Sequence, residues 1–312
     1  DGIRDAQESR GLGDVYKRQD VGRVDPTAGG STVARVAVIQ TVGPWTGPEA
    51  VRARTVALLQ EAARMGAHLA VLPELCTISY DFGTREDVLA LSESLDGPSV
   101  AAWQEVARRF ELFVVAGLPE RAGSELYNSA VLVGPQGVVG VYRKAHLYGR
   151  EREVFDPGSE GFRVWRLPVG QVGVLLCYDL RFAEAVRILL LRGAHLLCVP
   201  TTWTDLGKPQ PWDDRGWCGA NYLAAGHAYG NRMWVACADR AGWDGRIRTL
   251  GCSAIFAPSG YAVAGPALPE GEAILLADCD LPAVEGMRRV EGADLVADRR
   301  PDLYRELVDD RR

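Results

Sequence analysis

The chain has no run of about 18 apolar residues, so nothing in it reads as a membrane-spanning helix. Positive charge is not in excess: 35 Lys and Arg against 41 Asp and Glu leave a formal net charge of −6. With a pI near 5.4, the chain offers no basic footprint for nucleic acid or an anionic membrane. Histidine is scarce, four in 312 residues, and no two stand at i and i+4. A zinc-type ligand pair on a helix is therefore excluded. The seven cysteines (76, 177, 198, 218, 237, 252 and 279) include no C-x-x-C. An odd count at wide spacing argues against a disulfide framework and a zinc knuckle, and fits a reducing cytoplasm. No metal or other cofactor is implied. What is present, 47% hydrophobic and 24% charged residues, is ordinary for a globular chain. A chain of this length can bury roughly three quarters of its unfolded surface.

Residues 1–33 have little apolar periodicity and end in a Gly/Ser/Thr cluster. They read as a flexible leader, native or left by sequence assembly, with a short ordered arm as the alternative. The domain is placed at 34–312. Strands are expected at 33–40, 67–73 and 112–119, with helices at 48–66 and 98–110. Residues 127–147 read as two strands around Gly-Pro-Gln-Gly. A strand at 171–177, a helix at 182–192 and a strand at 195–199 follow. A helix near 216–230 and strands near 233–238, 251–257 and 273–279 complete the pattern.

RMGAHLAVLPEL (64–75) and LRGAHLLCVPTT (191–202) share a helix end, Gly-Ala-His-Leu, a strand and a proline. The repeat predicts an α/β domain of two related halves, sheet packed on sheet with helices outside. A ligand crevice is expected beyond the carboxyl ends of such strands. His68 and His195 read as satisfied core or strand-edge histidines.

Three polar groups fall at strand ends. Cys177 stops the run GVLLC just before a turn and a helix. Backbone N–H groups at that helix start would lower the thiol pKa and could hold an oxyanion. Glu74 follows AVLP, where a buried carboxylate is costly unless paired or working. Desolvation would raise its pKa toward that of a general base. Arg143 and Lys144 are neighbours on a strand, so they face opposite sides and one can enter the crevice. Each alone has a plainer reading: a core cysteine, a capping or salt-bridged glutamate, a solvated basic strand end. Together a Glu, a Lys and a Cys could form a thioester without imidazole. His146 and His227 sit in no defensible motif for that role.

The order LPEL (72–75), YRKAHL (142–147) and CYDLRFAE (177–184) resembles the nitrilase superfamily of carbon–nitrogen hydrolases. LYNSAVLVGPQG (126–137), FDPG (155–158), GCSAIFAPSG (251–260) and DRRPDLY (298–304) extend the resemblance across about 34–304. It implies an αββα sandwich of two mixed sheets, normally doubled by a homodimer. It also implies Glu74 as general base, Lys144 as oxyanion donor, Cys177 as nucleophile and the Tyr178 N–H as oxyanion partner. A second glutamate is implied after the lysine, with Glu151 favoured over Glu153. HAYGNRMWVA (227–236) departs from the family, with His227 and Gly230 where arginine and glutamate are common.

CYDLRFAE is similar to the amidase-type branch, which implies hydrolysis of a small aliphatic or ω-amide to acid and ammonia. Nitrile hydrolysis through a thioimidate is the alternative, followed by N-carbamoyl hydrolysis. A catalytically silent binding protein on the same fold would be expected to lose one of the three groups. Tyr80, Trp203 and Tyr178 are expected to line a partly apolar pocket, with packing the other reading for Trp203. No arginine cluster suited to a dicarboxylate is visible along the chain.

Overall fold

The computed structural model describes residues 33–43, 47–205, 207 and 211–309, all within one unit spanning 31–312. The leader expected at 1–33 lies outside the described residues, except for Val33, which opens the first strand. β1 (Val33–Val42), α1 (Pro48–Arg64) and β2 (Leu69–Val71) come first. Helix α1 opens on Pro48, whose missing N–H is harmless in a first turn. Its buried Val51, Thr55, Leu58, Leu59 and Ala62 recur at helical spacing. α2 (Arg85–Leu91) is short, and α3 (Pro98–Phe110) again opens on proline. β3 (Phe113–Ala122), β4 (Glu125–Gly134) and β5 (Gly137–Arg143) form a meander, followed by the single turn α4 (Glu151–Val154). The second half holds β6 (Val164–Leu167), β7 (Gly170–Val174), α5 (Ala183–Leu191), β8 (Leu196–Pro200), α6 (Gly219–Asn231) and β9 (Trp234–Ala238). A hairpin of β10 (Arg240–Asp244) and β11 (Ile247–Leu250) follows, then β12 (Ala254–Phe256), β13 (Ala262–Ala264) and β14 (Ala273–Asp280).

The strands form two mixed sheets. One runs β11-β10-β1-β2-β3-β4-β5, with β14 also paired to β1; the other runs β13-β12-β9-β8-β7-β6. Strands β1, β2 and β3 are mutually parallel, as are β7, β8 and β9. Alternation along β1 assigns its two faces. Val36 and Val38 join the core between the sheets, with Val174, Leu196 and Ala236, which share one face of the second sheet. Ala37 and Ile39 face the other way, into a core with Leu59 of α1 and Trp103 of α3. Val186 and Leu189 of α5 and Ala224 and Ala228 of α6 cover the second sheet. The layers are therefore helix, sheet, sheet, helix, as the sequence predicts.

The repeated stretch folds as two copies of one device. Gly66 and Gly193 end α1 and α5 with φ of 88° and 89°, a region that side chains rarely adopt. His68 Nδ1 accepts the Arg35 N–H at 3.1 Å, and His195 Nδ1 accepts the Gln171 N–H at 3.4 Å. Both histidines thus serve the edge of a neighbouring strand. Strands β2 and β8 then run out, and Glu74 N–H donates to the Thr201 carbonyl at 3.4 Å. The two strand ends meet across the layers.

Candidate active site

Glu74 is completely buried, and its main chain is held from two sides. Its carbonyl accepts from Arg240 at 2.9 Å and from the Thr202 hydroxyl at 3.3 Å. Arg240 is itself buried and paired to Asp244 at 2.8 Å. Gly117 of β3 passes directly behind: a Cβ there would lie 2.6 Å from Glu74 Cα and Leu75 N. The side chain points at polar partners. Oε1 accepts from Asn128 Nδ2 at 2.9 Å and Lys144 Nζ at 2.7 Å. Oε2 is buried without a hydrogen-bond partner among the described residues.

Lys144 follows β5 and is buried. Its N–H donates to the Asn128 carbonyl, and its carbonyl accepts the Gly158 N–H at 2.8 Å. A Cβ on Gly158 would lie 2.2 Å from the Arg143 carbonyl oxygen, which accounts for glycine in FDPG. The ammonium lies between two carboxylates, Glu74 at 2.7 Å and Glu151 at 2.8 Å. Arg143 faces the opposite side and pairs with Glu120 at 2.6 Å, as the strand alternation requires. Glu151 is buried, accepts from Tyr80 OH at 2.5 Å and takes the Tyr148 N–H at 3.0 Å. Glu153 is exposed.

Cys177 occupies the first position of a tight turn with φ of 44°, a left-handed geometry that costs a non-glycine residue about 1–2 kcal/mol. Asp179 fixes that turn. Its carboxylate accepts from the Leu176 N–H at 3.1 Å, Tyr142 OH at 2.8 Å and the His146 N–H at 2.9 Å. The His146 ring also meets Asp179, at 2.7 Å, and stacks on Phe182 at 3.6 Å. Both histidines left open by the sequence therefore brace the turn. His227 Nε2 meets the Leu180 carbonyl at 2.8 Å, so the unusual residue of α6 touches the nucleophile turn. Cys177 Sγ lies 3.8 Å from the Thr202 carbonyl.

The charges act on one another. Burial, opposed by the Lys144 ammonium and aided by Glu151, raises the Glu74 pKa above the ordinary carboxylate value. Burial works against the Lys144 charge, yet Glu74 and Glu151 outweigh it and raise its pKa. Burial and then the Glu74 charge push the Cys177 thiol well above its usual range, against Lys144, the Thr201 hydroxyl and the Thr202 backbone. The expected lowering by a helix start is thus overturned. A separate five-residue turn, 177–181, stands between the thiol and α5, and desolvation governs.

Residues 35–289 match the carbon–nitrogen hydrolase family. A nitrilase of Pyrococcus abyssi is 34% identical over 273 residues, covering 87% of this chain and 99% of that one. The chain belongs to the carbon–nitrogen hydrolase family. A citrullinase of Francisella tularensis is 33% identical over 261 residues, covering 80% and 89% of the two chains. A solved amidase from Nesterenkonia sp. AN1, carrying acrylamide on its active-site cysteine, superposes with a TM-score of 0.70 at 26% identity. That match covers 88% of this chain and 99% of the amidase.

In this carbon–nitrogen hydrolase a cavity of about 520 Å³ reaches Glu151 and Tyr80. Of the four candidate catalytic side chains only Glu151 lines it. Tyr80 lines this cavity, and burial together with Glu74 and Glu151 keeps its phenol protonated by raising its pKa. Trp203 is not in that wall; it is buried in the larger hydrophobic core, its backbone N–H donating to Asp239 at 2.9 Å. Tyr178 is not in that wall either; its ring lies tilted against Tyr148, ring centres 5.0 Å apart. Arg150, Arg246 and Arg248 also line the cavity, an arginine set that the sequence order hides. A larger cavity of about 1270 Å³, between α5, α6 and the C-terminal segment, contains none of the candidate catalytic groups. Among the described residues no helix is long and apolar enough to cross a membrane, and all seven cysteines are free and buried.

Proposed function

We propose that this enzyme hydrolyses a small amide to a carboxylic acid and ammonia through a Glu74-Lys144-Cys177 triad. The observation that carries the reading is the buried Lys144 ammonium held between Glu74 and Glu151. In the first step Glu74, through its free Oε2, takes the thiol proton as Sγ attacks the carbonyl carbon. The N–H of Tyr178 follows the nucleophile at the start of its turn, where backbone donors lack an intrahelical partner. That N–H and Lys144 take the developing negative charge on oxygen; such donors contribute roughly 10²–10³ in rate each. The proton passes to the leaving nitrogen, ammonia departs and a thioester remains. Glu74 then deprotonates water for attack on the thioester; the C–S bond breaks, the sulfur takes the proton back from Glu74 and the acid leaves. Glu151, which shares the ammonium and accepts from Tyr80, orients the lysine and the substrate nitrogen.

The likeness to the Nesterenkonia amidase supports the amide reading. The nitrilase of Pyrococcus abyssi supports a second one, in which a nitrile gives a thioimidate that is hydrated before hydrolysis. We also assign the enzyme to the cytoplasm, on its free cysteines, and to a homodimer, which sedimentation velocity tests. The decisive experiment is ammonia release from a panel of aliphatic amides, nitriles and N-carbamoyl compounds, with mass spectrometry of the trapped protein. An acyl adduct on Cys177 with amides, absent in Cys177→Ala, is expected. Turnover by a folded Cys177→Ala variant would remove the nucleophile assignment. Release of ammonia from nitriles alone would replace the amide reading with its rival.

A further inference from the structure

Residues 74–81, which follow β2, form only turns and bends. Glu74 stands at one end of this loop. Near the other end is Tyr80, whose hydroxyl meets Glu151 at 2.5 Å. A loop without a helix or ladder of its own needs partners from elsewhere for its buried backbone groups. Several of them come from one stretch, residues 240–246 of the β10–β11 hairpin. Arg240, in register with Thr41 of β1, donates to the Glu74 carbonyl at 2.9 and 3.3 Å. It also donates to the Leu75 carbonyl. Leu75 stands at φ 45°, a left-handed conformation that persists only where its surroundings impose it. The same guanidinium donates to Asp244 at 2.8 Å. Asp244 in turn accepts the Tyr80 N–H and the Ser79 hydroxyl, each at 2.6 Å. Further out, Asp81 accepts the Arg246 N–H at 2.9 Å and its guanidinium at 2.8 Å.

Arg240 and Asp244 thus link the two ends of the loop, the guanidinium on the glutamate end and the carboxylate on the tyrosine end. Both are buried. A buried ion pair often stabilises a fold less than apolar packing of the same size. What it supplies is direction: a planar fork that holds two carbonyls and a carboxylate in one geometry. We infer that the Arg240–Asp244 pair positions both functional ends of the loop. Arg240 sets where the Glu74 carboxylate stands against Lys144 and the thiol. Asp244 sets where Tyr80 meets Glu151 in the wall of the smaller cavity. Neither is a catalytic residue, since each acts through another side chain. A misplacement of about 1 Å can cost about 10² in rate, so loosening either end should be visible in turnover. The role in turnover rests on the Glu74 base proposed above; the grip on the loop does not.

Two measurements separate grip from turnover. The first is steady-state kinetics per folded molecule. Arg240→Lys keeps the charge and loses the fork; it is expected to lower kcat about 10–100-fold, with KM within about threefold. Asp244→Asn keeps the shape and loses the charge; it is expected to raise KM about tenfold, with a smaller fall in kcat. Ser79→Ala loosens the tyrosine end without unpairing a buried charge, and stands in where the other two do not fold. It should raise KM about threefold, as a weaker form of the same defect. Leu59→Ala, in the outer core, lowers stability away from the pair and should leave both constants unchanged. The second measurement is amide hydrogen exchange without substrate, read by mass spectrometry. Exchange within 75–81 should quicken about tenfold or more in Arg240→Lys and Asp244→Asn, and keep its wild-type rate in Leu59→Ala. Unchanged exchange in the pair variants, or in Ser79→Ala with a wild-type KM, would overturn the grip. Faster exchange without the split between kcat and KM would overturn the positioning role and leave hydrolysis standing. Faster exchange with slower alkylation of Cys177 by iodoacetamide in Arg240→Lys, and no ammonia from any amide, nitrile or N-carbamoyl compound, would keep the positioning of Glu74 against the thiol and remove the hydrolytic reading.

Discussion

RMGAHLAVLPEL and LRGAHLLCVPTT begin alike and end differently. Each closes a helix on a glycine of φ near 88°, spends a histidine on a neighbouring strand and carries a buried parallel strand to a proline. One copy then presents Glu74, with a free buried oxygen. The other presents Thr201 and Thr202, whose carbonyls hold the Glu74 N–H and lie near the Cys177 sulfur. The shared part fixes position; the residues after the proline decide chemistry. In the proposed mechanism the carboxylate half carries the proton; the threonine half supplies the frame.

The sharpest way to break this comparison is to exchange the chemistry at each end while keeping its shape. Glu74→Gln keeps the size and the contact with Lys144 but removes the base. A fall of about 10²–10⁴ in kcat is expected, with circular dichroism unchanged. Thr201→Val, at the matching position, removes only a hydroxyl that helps lower the thiol pKa, and less than about tenfold is expected. Equal losses at the two sites would mean that the two halves share the chemistry.

Lys144→Met comes next. It removes the proposed oxyanion donor, for about 10²–10³ in rate. It also leaves Glu74 and Glu151 buried without their common counter-charge, which breaks a buried ion pair and costs about 3–5 kcal/mol. Ammonia release per folded molecule, with denaturant unfolding alongside, separates the two effects. Activity within tenfold of wild type would place Lys144 outside the reaction.

The pH profile tests the same carboxylate with no mutation. In the proposed mechanism Glu74 must be ionised to accept the thiol proton, and its folded pKa is raised. The activity carried by the ionised form is therefore absent at low pH and appears as pH rises through that raised value. The acid limb of kcat/KM should lie above the ordinary glutamate pKa of about 4.3. In Lys144→Met, where the ammonium that opposes the shift is gone, the limb should move further up. A limb at or below the ordinary value would show that another group controls the acid side.

Much of this was legible along the chain because apolar periods and strand ends are local. Strands 33–42 and 113–122 and helix 98–110 are dense in buried side chains; Glu74 and Cys177 each follow a buried run, whereas Lys144 follows a strand that buries only Tyr142. The short helix 85–91 buries only Val88, so it carries no period; only its Thr84–Asp87 capping box marks it. The β10–β11 hairpin buries the charged Arg240 and Asp244 in place of an apolar run, although Asp244-Gly245 is a turn signal. The supporting residues were hidden for another reason. Asn128 reaches Glu74 across 54 positions, Arg240 across 166, and Tyr142 reaches Asp179 across 37. A buried polar residue is explained by its partner, and the partner is not in the window. The thiol pKa was misjudged because a helix start is visible in sequence while desolvation and a distant carboxylate are not.

The smallest expected effect bears on the repeat itself. Gly66 and Gly193 hold φ of 88° and 89°, and the space behind them differs little: a Cβ would lie 3.4 Å from Arg35 Nη1 at the first and 3.1 Å from Gln171 Oε1 at the second. Both neighbours are ends of flexible side chains, so backbone strain rather than collision sets the cost. Gly66→Ala and Gly193→Ala should each lose about 1–2 kcal/mol in denaturant unfolding, by amounts equal within about 0.5 kcal/mol, and the double variant should lose their sum. Neither should change KM, since the glycines precede their strands and the chemistry follows them. A loss confined to one position would mean that the likeness ends with the letters; a KM effect at either would mean that frame and chemistry are not separable in this fold.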